Sequence, residues 1–467
     1  MMARLLPLSA VLTAVATWAC AQEPVTPVAY APPAFETSGS PAFDEWRQRF
    51  AAQAVNVHGK DRAIVEAVLT GLTPNAEVRR LNDSQPEFVR PIWTYIAGAV
   101  SPSRIAEGRA HFAARRAALA ETGARTGVPV EVAIAIWGLE SSYGAVKGGS
   151  DVPRALATLA HAGRRTALGE AELLAVFDIL SRGEARREDL VGSWAGAMGH
   201  TQFMPSSFLS RAVDGDGDGR RDIWNNPVDA LASTLNYLSK AGWRAGEPWG
   251  AEARAPAAFD WTLANSTMRP LTEWRALGVT APALDGAAPD WNARLLAPAG
   301  ANGAVFLVGA NFDAVKAYNN ADAYALSVAL LSDQIAGRGA LPTRWPFEDP
   351  PLPRAGAREM QTLLNALGFS IGEPDGQAGP RTRRALQAFQ AARGLVADGY
   401  PSARALEALR DAARAQGVPM VAPPAPPPVV AAPAPVPATP PANQPAPKPK
   451  SEKDLPIRMF GPPPKGG

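Results

Sequence analysis

The chain has 467 residues, 46% of them apolar, enough to build cores for two or three domains and to exclude a wholly disordered protein. Its 46 Lys and Arg nearly cancel 44 Asp and Glu, leaving a formal charge of +2. That balance excludes the large single-sign field of a protein whose main partner is nucleic acid, and it suits a neutral polymer better.

Residues 1–21 read as a secretory signal peptide. Arg4 supplies the positive end, LLPLSAVLTAVATW the apolar stretch, and Ala19-Cys20-Ala21 a small-x-small cleavage site before Gln22. Export predicts a periplasmic protein. Cys20 is the single cysteine, so cleavage after Ala21 leaves a chain with no thiol and no disulfide to help it fold. Lipid anchoring through Cys20 is the alternative, and bulky Trp18 argues against it. No later apolar run reaches the roughly 18–20 residues that span a bilayer, so no transmembrane segment is expected.

Residues 22–40 are Pro-rich and aperiodic, as in a linker, and a first helix is expected from Pro41 to Ala54. From 41 to 340, apolar positions recur mostly at helical spacing, as in RIAEGRAHFAARRAALAETGA and NPVDALASTLNYLSKAGW. Within that stretch PVEVAIAIWGLESSYG starts on Pro129 and is almost wholly apolar from Val132 to Leu139, the pattern of a helix buried nearly all round. Glu140 ends the run. There it is partly desolvated and faces the negative end of the helix dipole, and both effects raise a carboxyl pKa toward what a general acid needs near neutral pH. On residue type alone, a glutamate that merely ends a helix is the commoner case.

Farther on, Asp214, Asp216 and Asp218 stand at positions one, three and five of a DGDGDG loop with Gly219 at six, the spacing of an EF-hand. Position twelve is Asn225 in place of Glu, so even with the Arg220 carbonyl and Asp222 the sphere falls short. A metal-free turn held by Asx hydrogen bonds, with Arg220 and Arg221 neutralising the acids, stays open beside a structural calcium ion. Two short apolar runs around Leu295 and Val305–Val308 flank a Gly-containing turn and suggest a small β hairpin.

Proline-dense residues 341–356 are expected to separate a second unit, 357–412. There Asp375-Gly376 and Asp398-Gly399 each precede a helix start, and Leu363, Leu367, Leu386, Phe389, Leu395 and Leu406 supply a core. From Pro419 onward lie 18 of the 46 prolines, which makes 413–467 a Pro-rich tail able to engage an unknown protein partner in extended form.

Four ordered motifs, IWGLESSYG, GSWAGAMGHTQFMPSSF, DGDGDGRRDIWNNPVDALASTLNYL and AYNNADAYA, joined by RPIWTYIAGAVSPSRIAEGR, make residues 40–337 resemble the membrane-bound lytic transglycosylase B family. The second unit, through QTLLNALG, DGQAGPRT and FQAARGLVADG, resembles the peptidoglycan-binding domain type 1. The first resemblance implies a lysozyme-like, mainly α (α+β) domain that cleaves the β-1,4 bond between N-acetylmuramic acid and N-acetylglucosamine without water, leaving 1,6-anhydromuramic acid ends. The second implies a three-helix module that holds the enzyme on peptidoglycan.

Carried onto this chain, the resemblance makes Glu140 the single acid/base, with no cofactor needed for catalysis. It makes Tyr95, Ser142, Tyr143, Met198, Gln202, Phe203, Tyr318, Asn319 and Tyr324 candidates for substrate binding, and Asp229 a further acid for the calcium loop. Aromatic side chains suit the task because sugar rings present apolar faces. Of the 12 Trp, Trp137 is read as packing, while Trp194 and Trp224 stay open between packing and sugar contact. Two other functions remain to be weighed: a muramidase in which Asp151 activates water, and a non-catalytic wall-binding protein.

Overall fold

The computed structural model describes residues 29–83, 90–163, 165–265, 267–342 and 344–418. The chain divides into two units, 1–421 and 422–467, and every described residue belongs to the first. The expected signal peptide, with Cys20, and the tail beyond Val418 lie outside the described residues. Among those described, no helix is long and apolar enough to cross a membrane.

Helices α1 (Pro41–Asn56), α2 (Arg62–Leu69) and α3 (Ala76–Asp83) come first, then α4 (Ile92–Ala99), α5 (Pro102–Arg115), α6 (Ala120–Thr126) and α7 (Val130–Ser141). After α7 the strand β1 (Ser150–Asp151) leads into α8 (Val152–His161) and α9 (Thr166–Ser181). Strand β2 (Val191–Gly192) then precedes α10 (Pro205–Arg211) and α11 (Pro227–Lys240). Strands β3 (Gly250–Ala253) and β4 (Arg269–Pro270), helix α12 (Leu271–Ala276) and strands β5 (Asn292–Leu296) and β6 (Val305–Val308) follow, and α13 (Ala310–Tyr318) and α14 (Asp322–Ile335) close the large domain.

The apolar helix read from the sequence is α7, and its burial explains its composition. Residues 131–138 are buried on every face, because α5, α11 and α14 surround it. Each large apolar side chain so enclosed contributes roughly 1.5–3 kcal/mol. Gly138 is the exception to this bulk for a steric reason: a Cβ there would stand 2.6 Å from the Tyr143 ring, which packs across the helix. A second core joins α1, α2, α8, α9 and α10 through residues such as Trp46, Phe177 and Phe208. Residues of the expected N-terminal linker pack too: the Tyr30 hydroxyl donates to Glu66, and the Glu36 carbonyl accepts from the buried Arg47.

The hairpin is real but is half of a larger sheet. β5 and β6 pair antiparallel with Leu295 opposite Leu307, and β3 and β4 extend them to the order β3-β6-β5-β4. The two outer strands are short and carry little alternation, so no periodicity marked them.

The second unit forms α15 (Arg354–Ala366), α16 (Pro380–Ala392) and α17 (Ala403–Ala415). It starts earlier than 357: Leu352 is buried in its core, and the Asp349 carboxylate accepts from the backbone N–H of Arg404. The paired Asp-Gly turns have a common cause. Buried Gln361 bridges Asp375 and the N–H of Gly376, and buried Gln390 does the same for Asp398 and Gly399. Leu395 departs from the expected core. It follows the turn after α16 and is 46% exposed.

Candidate active site

Glu140 sits one residue from the end of α7, where the backbone turns left-handed at Ser142 and Tyr143. Its carboxyl opens on a groove of about 400 Å³ whose walls include Asn75, just before α3, Glu77 from α3, Gly148 to Ser150, Ser193, Trp194 and Gln202. Burial pushes the Glu140 carboxyl up to about 7. The Tyr324 hydroxyl, on α14, donates to Glu140 Oε1 at 2.6 Å and pulls the other way. Tyr324 is itself buried, and its own pKa is raised well above the usual value, so it stays a donor. Tyr95, 40% exposed, and Tyr318 also feel the Glu140 charge, which adds to burial in raising both phenols.

The position of Glu140 is braced from behind. Ser141 Oγ donates to the His200 carbonyl, and Trp137 Nε1 donates to His200 Nδ1 at 3.2 Å. Burial holds His200 down to about 4, so it is a neutral imidazole that accepts this bond. No pattern in the sequence assigns His200 a role, and in the fold it ties α7 to the loop that carries Gln202. That loop is a tight turn in which Met198 and Phe203 exchange backbone hydrogen bonds and Gln202 adopts φ of 55°. Gln202 Nε2 donates to the carbonyls of Lys147 and Gly199. The side chain therefore both holds the turn and lines the groove.

Several candidates lie elsewhere than expected. Met198 is fully buried and Phe203 is 2% exposed; both face the core beneath the turn, where Phe203 meets Tyr237 and Tyr318, and neither lines the groove. Tyr143 is also a packing residue: its ring lies against Trp137 and His111, and its hydroxyl donates to the Arg104 carbonyl at 2.7 Å. Ser142 is the C-cap of α7, and Asn319 is an exposed C-cap of α13. Tyr318 anchors the α13–α14 turn by donating to the Thr201 carbonyl. Trp224 and Trp137 are buried, whereas Trp194 borders the groove.

Asp151 is committed elsewhere. It caps α8 through the N–H of Arg154 and pairs with Arg187 at 2.7 Å. Glu77, the other groove carboxylate, is held by Arg80, which keeps its pKa below the ordinary range.

In the DGDGDG loop, carboxylate oxygens of Asp214, Asp216, Asp218 and Asp229 lie within 4.8 Å of one another. Such a set of hard oxygen donors fits a calcium ion. Asp229 is fully buried at the start of α11 and accepts from the backbone N–H groups of Gly215 and Asp222, so it grips both ends of the loop. Asp222 is not among the four: its carboxylate turns outward to accept from the N–H groups of Trp224 and Asn225. Asx bonds also satisfy the loop, since Asp214 accepts from Gly217 and Gly219. Arg221 reaches Glu184 instead of the loop acids.

Residues 42–333 match the family described as the transglycosylase SLT domain, and residues 353–409 match a peptidoglycan binding domain. The chain is 35% identical over 210 residues to membrane-bound lytic murein transglycosylase B of Escherichia coli (strain K12), a match that takes in 43% of this chain and spans 58% of that relative's length. Among solved structures it is similar to SltB3 from Pseudomonas aeruginosa in complex with NAG-anhNAM-pentapeptide, with 45% identity, 79% of this chain and 100% of that one covered, and a TM-score of 0.76. It is also similar to the Escherichia coli lytic transglycosylase Slt35 in complex with calcium, with 30% identity, coverage of 66% and 96%, and a TM-score of 0.55.

Proposed function

The chain belongs to the transglycosylase SLT domain family, and we propose that it is a lytic murein transglycosylase that cuts the β-1,4 bond between N-acetylmuramic acid and N-acetylglucosamine without water. The observation that carries this reading is one carboxyl, Glu140, held near pKa 7 in a groove lined by Trp194 and Gln202, while the other groove carboxylate, Glu77, is paired with Arg80. Protonated, it gives its proton to the leaving oxygen as the C1–O bond breaks; as carboxylate, it takes the proton of the C6 hydroxyl as that oxygen bonds C1. The substrate's acetamido group stabilises the electron-poor C1, so one carboxyl serves both steps. Gln202 Oε1 suits an acetamido N–H. Glu77 and Asp151 are both held by arginine, which disfavours a water-activating partner.

Product analysis of purified sacculi tests the reaction. Mass spectrometry is expected to find 1,6-anhydromuramic acid ends, one water lighter than reducing ends; reducing ends alone would make the protein a muramidase, and no release at all a wall-binding protein. Tyr324→Phe tests the pairing at Glu140. Without the hydroxyl that stabilises the carboxylate, burial acts alone, and the alkaline limb of the kcat/KM profile should move up by about 1 in pH. A limb that stays in place would remove Tyr324 from the proton transfer.

The remaining parts of the reading follow from the same assignment. A signal peptide at 1–21 delivers the enzyme to the periplasm, where its substrate is, and the C-terminal module keeps it on the polymer. A calcium ion held by Asp214, Asp216, Asp218 and Asp229 stiffens the loop before α11 and takes no part in the chemistry.

A further inference from the structure

A second cleft, of about 620 Å³, opens where the C-terminal module meets the large domain. The two are clipped together there: Gln387 donates to the Trp261 carbonyl, and the Asp398 carboxylate accepts from the N–H of Ala301. Five cations line the cleft, Arg90, Arg294 and Lys316 from the large domain and Arg383 and Arg384 from the module, against three acids. The acids are already committed. Asp313 pairs with Arg294, Asp322 pairs with Lys316, and Asp398 is used by Gln390, Tyr400 and Ala301. Among the described residues, Arg90, Arg383 and Arg384 therefore have no ion-pair partner. The Tyr400 hydroxyl, on a residue only 6% exposed in the cleft wall, is buried without a hydrogen-bond partner. Burial also pulls the Arg383 guanidinium below its usual range, although Asp322 and Asp398 lie near enough to oppose it.

A walled cavity with three guanidinium groups outside any ion pair and an unpartnered hydroxyl fits an acidic, hydrogen-bonding ligand. Helix α14 connects it to the active site: its first residue, Asp322, lines the cleft, and Tyr324, two residues on, donates to Glu140. We propose that this cleft is a second binding site, taking the carboxylates of the peptide stems that peptidoglycan strands carry, so that one strand is held by its peptide while its sugars reach Glu140. The assignment of the ligand rests on the function proposed above.

The test is calorimetric titration of the full exported chain with a synthetic stem tetrapeptide bearing free carboxylates, with the same peptide amidated at every carboxyl, and with inorganic phosphate. The free peptide should bind at least tenfold more tightly than either alternative. Arg384→Glu and Arg90→Glu, exposed and on opposite walls, should each weaken it about tenfold, and each should raise KM at least tenfold more for peptide-bearing strands than for peptide-stripped ones. Equal binding of the amidated peptide or of phosphate overturns the proposal. So does an effect of Arg384→Glu with none from Arg90→Glu, which would place the peptide on the module's surface alone. Binding is read without turnover, so the two readings fail separately: anhydro products with no peptide binding sink the cleft alone, and peptide binding with only reducing ends sinks the transglycosylase reaction alone.

Discussion

Replacing Glu140 by Gln is expected to reduce strand cleavage by about 10³-fold or more, because the variant keeps the shape and hydrogen-bonding reach of the side chain but can neither give nor take the proton. The same change should alter stability in a way that depends on pH. Burial raises the folded-state pKa to about 7 from an ordinary 4.5, so the folded chain binds this proton more tightly than the unfolded one. The stability that comes from holding the proton is complete below pH 4.5 and is lost as the pH rises through 7. The glutamine variant has no such loss. Melting curves of wild type and Glu140→Gln should therefore lie close together at about pH 4 and diverge by about pH 8, with the variant more stable by roughly 1–3 kcal/mol. Cleavage near the wild-type rate would remove Glu140 from the chemistry, and parallel pH dependence of the two melting temperatures would remove the raised pKa.

Glu140 could be placed by its sequence at the end of an apolar helix, and the motifs set it apart from a glutamate that merely ends one; its burial comes from α5, α11 and α14 packed around α7. The rest of the groove could not be read in that way. Asn75 precedes α3 and Glu77 lies in its first turn, far upstream in the chain, and they reach the groove because Val78 packs on Ala155 and Leu159 of α8. Nothing in the AEVRRLND sequence announces that contact. Motif matching also has a physical limit, since a motif is maintained by whatever the fold requires. In this fold Met198 and Phe203 support the turn and Tyr143 packs on the helix, and of that turn Gln202, in a left-handed conformation, lines the groove. Trp194 and Trp224 illustrate the same point. Both are Trp in the same region, and which one borders the groove depends on the β1–β2 pairing that sets Gly192 opposite Ser150. The module behaves alike: its Asp-Gly turns were legible, but the Gln clamps that explain them act across fifteen and nine residues.

Asp229→Ala is expected to destabilise the fold from outside the groove, and it separates two roles of one carboxylate. Asp229 accepts from the N–H groups of Gly215 and Asp222, which bracket the DGDGDG loop. Removing it leaves both donors poorly satisfied at about 1–3 kcal/mol each, partly offset because a buried charge is also removed. The net loss should be about 2–3 kcal/mol, seen as a lower melting temperature in chelator, where no ion contributes. Asp229→Asn should fall between the two, since its single carbonyl oxygen can satisfy one N–H while its amide turns a donor toward the other. Calcium then tests the second role. An ion that binds only the folded chain adds stability as its concentration rises above its dissociation constant, so millimolar calcium should raise the melting temperature of the wild type and leave the Asp229→Ala value almost unchanged. An unresponsive wild type would leave Asp229 as a loop clamp and the loop as a turn held by Asx bonds. A variant as stable as wild type in chelator would show that the two N–H bonds to Asp229 do not hold the loop in place.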